Sequence, residues 1–337
     1  MTAVTKEGLL RRDKRFPDMT EKSSALLSRF RDRLALPVIA APMFLVSGPD
    51  LVRAVRREGV IGSFPFPLAR TIEMLDEWLA KTFAGDDDAL APFAANMMTH
   101  SSYDRLDAEL ALLEKYRPDI VITALGGPKP VMPTVRGYGG LVFADVNSID
   151  YARKAADAGV DGLVLVSAGA GGHTGDMTGF AFVSAVREFF DGVIVLGGGI
   201  NTGRAVRAAE VLGADLAYVG THFLGAEETI AHPAYRDFVV AAEFRDLILS
   251  SAITGANAYY LKASLERAGV DLDQVAGRGK PDFANSQKDI KAWRDLWSAG
   301  HGVGAVRAIR PAREIIAELI AGYDEAVAEP SHRYKRS

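Results

Sequence analysis

Two glycine clusters and one histidine mark where this sequence could do chemistry. Gly197, Gly198 and Gly199 follow the apolar run Val193 to Leu196, and Gly220 and Thr221 follow a second run, Leu216 to Val219. Unbroken apolar runs of this length read as strands buried on both faces. Between them Asn201 and Thr202 can cap a helix from Gly203 to Leu212, with Ala205, Val206, Ala209 and Leu212 at helical spacing and Gly213 as its stop. Two consecutive parallel strands ending in glycine bring bare backbone N–H groups and the Thr221 hydroxyl together, as a phosphate monoester requires. A further loop, Ser167 to Gly175, reads SAGAGGHTG and holds one ionisable group, His173. Its glycines let the backbone pass close to a flat ligand, and an imidazole there is suited to proton transfer near neutrality. A lone histidine is more often structural than catalytic. The place of this one, opposite the phosphate turns in a loop with few other side chains, favours chemistry.

The elements that must position these groups repeat one unit. Strand-like runs fall at Val38 to Ala41, Val60 to Ser63, Phe93 to Asn96, Ile120 to Ala124, Leu141 to Ala144 and Gly162 to Val166, ahead of the two above, which makes eight. Helical stretches separate them. This alternation predicts parallel strands with right-handed crossovers, closed into an α/β fold of the TIM (β/α)8 barrel type. An open doubly wound sheet is the alternative, but its dinucleotide turn would follow the first strand, whereas these glycine turns follow the seventh and eighth. The barrel is assigned to residues 1–225 and 309–330, the segment up to Arg33 being a charged helix outside or below it, and Pro311 to Ala328 its last helix. Residues 226–308 lose the rhythm and read as a mostly helical insertion covering the active site, with helices at Tyr235 to Leu249 and Gln287 to Trp297. Residues 331–337 read as a disordered tail.

Composition excludes several classes. With 337 residues, 48% of them hydrophobic, the chain can bury a large core, and a net charge of -4 leaves no footprint for nucleic acid or an anionic membrane. There is no cysteine, so disulfide and thiolate chemistry are out, and the six histidines show no metal-ligand spacing. The basic start has no apolar core of signal-peptide length, and no run of 18 apolar residues occurs. A cytoplasmic location fits.

Ala41-Pro42-Met43, Ala170-Gly171-Gly172-His173, Gly197-Gly198-Gly199-Ile200, Gly213-Ala214-Asp215 leading to Gly220-Thr221, and Ala299-Gly300-His301-Gly302-Val303-Gly304 resemble the nitronate monooxygenases, formerly 2-nitropropane dioxygenases, in order and spacing. The resemblance implies a TIM barrel with a non-covalent FMN. Carried over position by position, Gly198, Gly199, Gly220 and Thr221 would hold the phosphate. Ala41, Met43 and Asn96 would lie along the isoalloxazine, with Pro42, Gly171, Gly172 and Gly197 completing the cofactor site. His173 would take a proton from the carbon beside a nitro group or orient the nitronate. Ser167 and His301, the latter standing where the family usually has glutamine, would line the substrate or flavin edge. In this family the nitronate itself reduces the flavin, and dioxygen then yields a carbonyl compound and nitrite. The implied partners are a small-molecule substrate and dioxygen, no metal is expected, and a homodimer is allowed.

Val166 and Gly169 stand where the family often has glutamine and glutamate, so a less polar pocket is expected. Two other readings stay open. One is an NAD(P)H-dependent reductase of quinones or enoyl thioesters on the same scaffold, and the other is a barrel that binds FMN without turnover, which would leave His173 unexplained.

Overall fold

In a computed structural model of the chain, residues 20–85, 89–275 and 295–329 are described. In chain order the strands are β1 (Val38–Ala40), β2 (Gly62–Pro65), β3 (Phe93–Met98), β4 (Ile120–Ala124), β5 (Leu141–Val146), β6 (Gly162–Val166), β7 (Gly172–His173), β8 (Val193–Gly197), β9 (Leu216–Val219), β10 (Leu247–Ser250) and β11 (Ala258–Leu261). Eight of them form one parallel sheet in the order β1-β9-β8-β6-β5-β4-β3-β2. The Ile39–Ile61 bridge, with Ala40 N donating to Ile61 O at 2.8 Å, closes it. The seventh and eighth barrel strands are therefore β8 and β9, and the expected TIM barrel is the fold observed.

Strand pleating divides the side chains between two cores, because successive residues of a strand face opposite ways. Ile39, Ile61, Ala94, Ile120, Ile122, Leu141, Phe143, Val164, Val193, Val195 and Leu216 pack inside the barrel. Their neighbours Val121, Val142, Leu163, Leu165, Ile194 and Leu196 face the surrounding helices. The helix Glu21–Leu27 and the 3-10 turn Ser28–Arg33 insert Leu27, Phe30 and Leu34 into the inner core at the amino end of the strands. Ser23 Oγ donates to Asp215 Oδ1 at 2.9 Å, which fastens this plug below the barrel.

The helices arise where the spacing predicts them. Ile72–Phe83, Ile149–Asp157 and Gly203–Val211 start at Thr71, Ser148 and Thr202, whose side chains cap Met74, Tyr151 and Ala205. Gly203 lets the helix Ala312–Ala328 approach, since a Cβ there would stand 1.9 Å from Leu319 O. The expected helix Tyr235 to Leu249 is shorter, running Pro233–Ala241. Glu243 and Asp246 cap one another's backbone and end it, and Leu247 to Ser250 become β10. β10 and β11 pair antiparallel, and β11 also pairs with β7 from the His173 loop. The part of 226–308 that is described thus contributes a hairpin as well as helices. Most of the expected helix Gln287 to Trp297, and the tail 331–337, lie outside the described residues.

Candidate active site

The carboxyl ends of the barrel strands form a floor. Because alternate residues face inward, the inner positions Ile39, Ala94, Phe143, Val164, Val195 and Leu216 are followed two residues on by Ala41, Asn96, Asp145, Val166, Gly197 and Tyr218. Asn96 is 8% exposed and donates from Nδ2 to Ile122 O at 3.3 Å and to Asp145 Oδ2 at 3.4 Å. Burial pushes the Asp145 carboxyl up to about 7, opposed by the Asn96 hydrogen bond. The Tyr218 hydroxyl is driven well above its usual range by burial and then by the negative charge of Asp145. Asp145 Oδ1 and Tyr218 Oη are buried with no hydrogen-bond partner among the described residues. The residue-type motifs did not single out this pair. A legible signal existed, since Asp145 interrupts the otherwise apolar strand LVFADV.

The glycine turns stand above this floor. Gly198 and Gly199 adopt φ of 127° and 69°, a backbone conformation that favours glycine at both positions. Ser167 is buried beside the turn. Its Oγ donates to Gly197 O at 2.7 Å and would stand 2.3 Å from a Cβ on Gly198, so it braces the glycine backbone. Because β1 pairs with β9, Gly220 lies against Ala41 and Met43, with a Cβ there 3.5 Å from Ala41 Cβ and 3.7 Å from Met43 Sδ. Pro42 lies between those two, half-buried. Thr221 Oγ1 accepts from Gly300 N at 2.8 Å, which joins the late glycine loop to the end of β9.

That late loop also interlocks with the loop after β6. A Cβ on Gly300 would stand 2.6 Å from Gly169 O, and one on Gly171 would stand 2.7 Å from Gly300 N. Gly171 thus permits a close backbone approach, while Gly172, with φ of 69°, pairs with Tyr259 of β11. His173 pairs with Ala258, and its Nε2 lies 3.2 Å from Thr254 Oγ1 in the turn before β11. Burial lowers its proton affinity from the ordinary histidine value of 6.5, so the neutral imidazole is favoured. His301 fills the space over Gly169, where a Cβ would meet its Nδ1 at 2.8 Å. Phe244 and Tyr259 stand edge-on to its ring, with centroids at 4.7 and 4.6 Å. Its proton affinity is lowered too, by burial.

The fold therefore gathers Ala41, Met43, Gly220, Thr221 and the Gly197–Gly199 turn at one end of the barrel and sets the loops of His173 and His301 along β11. Such an arrangement can cradle a phosphate on backbone N–H groups and present a neutral base beside a planar group.

Known proteins are similar to this chain in sequence and in fold. A nitronate monooxygenase of Neurospora crassa is 29% identical over 336 residues, covering 84% of this chain and 87% of that protein. The (3aS,4S,5R,7aS)-5-hydroxy-7a-methyl-1-oxo-octahydro-1H-indene-4-carboxyl-CoA dehydrogenase of Rhodococcus jostii is 26% identical over 219 residues, covering 65% of this chain but only 60% of that protein. The nitroalkane oxidase of Streptomyces ansochromogenes superposes with a TM-score of 0.70 at 23% identity, covering 88% of this chain and 99% of that structure, which establishes the shared fold. Residues 28–322 match the sequence profile of the nitronate monooxygenases, a family of oxidoreductases, and the chain belongs to that family.

Proposed function

We propose that the chain binds FMN and oxidises alkyl nitronates, and nitroalkanes that it first deprotonates, to a carbonyl compound and nitrite at the expense of dioxygen. The observation that carries this reading is a pair of glycine turns and a histidine held toward its neutral form at one barrel mouth, in a chain of the nitronate monooxygenase family. The fit to FMN is supported by Gly198 and Gly199, whose φ of 127° and 69° residues with side chains rarely adopt, and by Gly220, which faces Ala41 and Met43 with backbone alone. Gly197, Gly198, Gly199, Gly220 and Thr221 would hold the phosphate, and Ala41, Pro42, Met43 and Asn96 would lie along the ring. Gly171 and Gly172 would keep the His173 loop low beside it. When bound, FMN supplies the electron transfer between substrate and dioxygen. The protein supplies orientation, exclusion of water by the β10–β11 hairpin, and a base. His173, neutral because buried, would accept the proton from the carbon beside the nitro group, with Thr254 fixing its ring.

Anaerobic mixing of the purified protein with an alkyl nitronate, and separately with NADH and NADPH, tests this. Flavin absorbance should bleach much faster with the nitronate. Faster bleaching with a reduced nicotinamide would move the chain to the reductase reading.

A further inference from the structure

The barrel strands contain two titratable side chains, Asp145 on β5 and Tyr218 on β9. β4 and β6, which flank β5, carry none, and one strand beyond β4, β3 offers the neutral amide of Asn96. Asp145 thus sits in the floor of the mouth without a cation facing it among the described residues, and its Oδ1 is a buried acceptor without a donor. A buried carboxylate left without a cation is costly, and an anion held above it adds repulsion; taking up one proton removes both penalties.

We propose that Asp145 is the charge-compensating proton store of the site, a carboxylate while the mouth holds no anion and a carboxylic acid while an anion such as a nitronate or nitrite is held above it. The inference rests on the reading that the mouth receives such anions. The step balances simply: one proton from solvent joins Asp145 as the anion enters and returns to solvent as it leaves. Among the described residues, His173, His301 and Tyr218 stand at the mouth as titratable groups, and none substitutes for Asp145 at alkaline pH. His173 and His301 have lowered proton affinities and are neutral there, and the Tyr218 phenol keeps its proton. The Asp145 carboxyl, raised to about 7, is the group that changes charge in this window.

Nitrite added to the purified protein is the probe, followed by calorimetry in two buffers of different protonation heat. Linkage requires uptake of close to one proton per nitrite at about pH 8, and an affinity that falls about tenfold per pH unit above the carboxyl's range. In Asp145→Asn the uptake should vanish and the affinity should be flat with pH over the same window. An infrared difference spectrum of the unmutated protein should show a carboxylic acid C=O band appearing with nitrite, independently of how the variants fold. Nitrite binding without proton uptake, or uptake that survives in Asp145→Asn, overturns the proposal. Because no arm measures nitronate oxidation, failure of the proposed activity and failure of the proton store are read separately.

Discussion

His173 and Asp145 are displaced in opposite directions by the same cause. Burial disfavours the charged form of each, so the imidazole loses its proton more readily and the carboxyl keeps its proton longer. A base that is neutral below the ordinary histidine range needs no activation at physiological pH. The rate with a neutral nitroalkane should therefore rise with pH through one ionisation lying below about 6.5 and reach its plateau before neutrality. In His173→Asn this limb should disappear, with the rate falling on the order of 10^2 to 10^4 because general-base catalysis is lost. A preformed nitronate has already given up that proton, so its oxidation should fall much less. Steady-state rates with both substrates across pH check this, and equal loss for the two would make His173 an anion-orienting contact instead of a base.

At the scale of elements, the site depends on where backbones can approach. The turn after β8 is held by Ser167 from the loop after β6, and Gly198 tolerates that contact only because it lacks a Cβ. Its φ of 127° also closes the position to β-branched residues. Gly198→Val should strain or shift the turn at about 1 to 3 kcal/mol, a fraction of the roughly 5 to 15 kcal/mol that holds a domain together. The variant should remain folded and purify without yellow colour. Flavin absorbance with circular dichroism checks this, and stoichiometric FMN in a folded variant would place the phosphate elsewhere. The β10–β11 hairpin is the other decisive element. It pairs with the His173 loop through β7 and sets Tyr259 against His301, so both histidines are ordered by one strand of the insertion.

Across the whole molecule, the two ends of the barrel divide their duties. The carboxyl end carries the glycine turns and the histidines, and the amino end is sealed by Leu27, Phe30 and Leu34. Asp215, at the start of β9, ties this lower end together. It accepts from Ser23 Oγ at 2.9 Å, from Ile194 N at 2.7 Å and from Arg187, and it is 1% exposed. Removing a buried ion's partner leaves its groups unpaired, so Asp215→Ala should destabilise by about 3 to 5 kcal/mol. Chemical denaturation should show that loss while FMN content at low temperature stays intact, since the phosphate turns lie at the opposite strand ends. Among the described residues no helix is long and apolar enough to cross a membrane.

What the sequence determined by itself was whatever local patterns encode. Eight apolar runs separated by amphipathic stretches specify a parallel barrel, because buried strands and capped helices leave few other ways to bury both faces. The glycine triplet after one strand, Gly220 after the next and the histidine between glycines were legible because their residue types suit one local geometry. The tertiary structure alone decided which groups meet. Ser167 braces the glycine turn, since β6 and β8 are neighbours and their loops touch. Part of an expected helix became β10 because a partner strand was available, which outweighs local helical preference. Asp145 and Tyr218 were visible as a polar interruption and a strand tyrosine, but their convergence depends on barrel closure, which brings residues 73 positions apart to one floor.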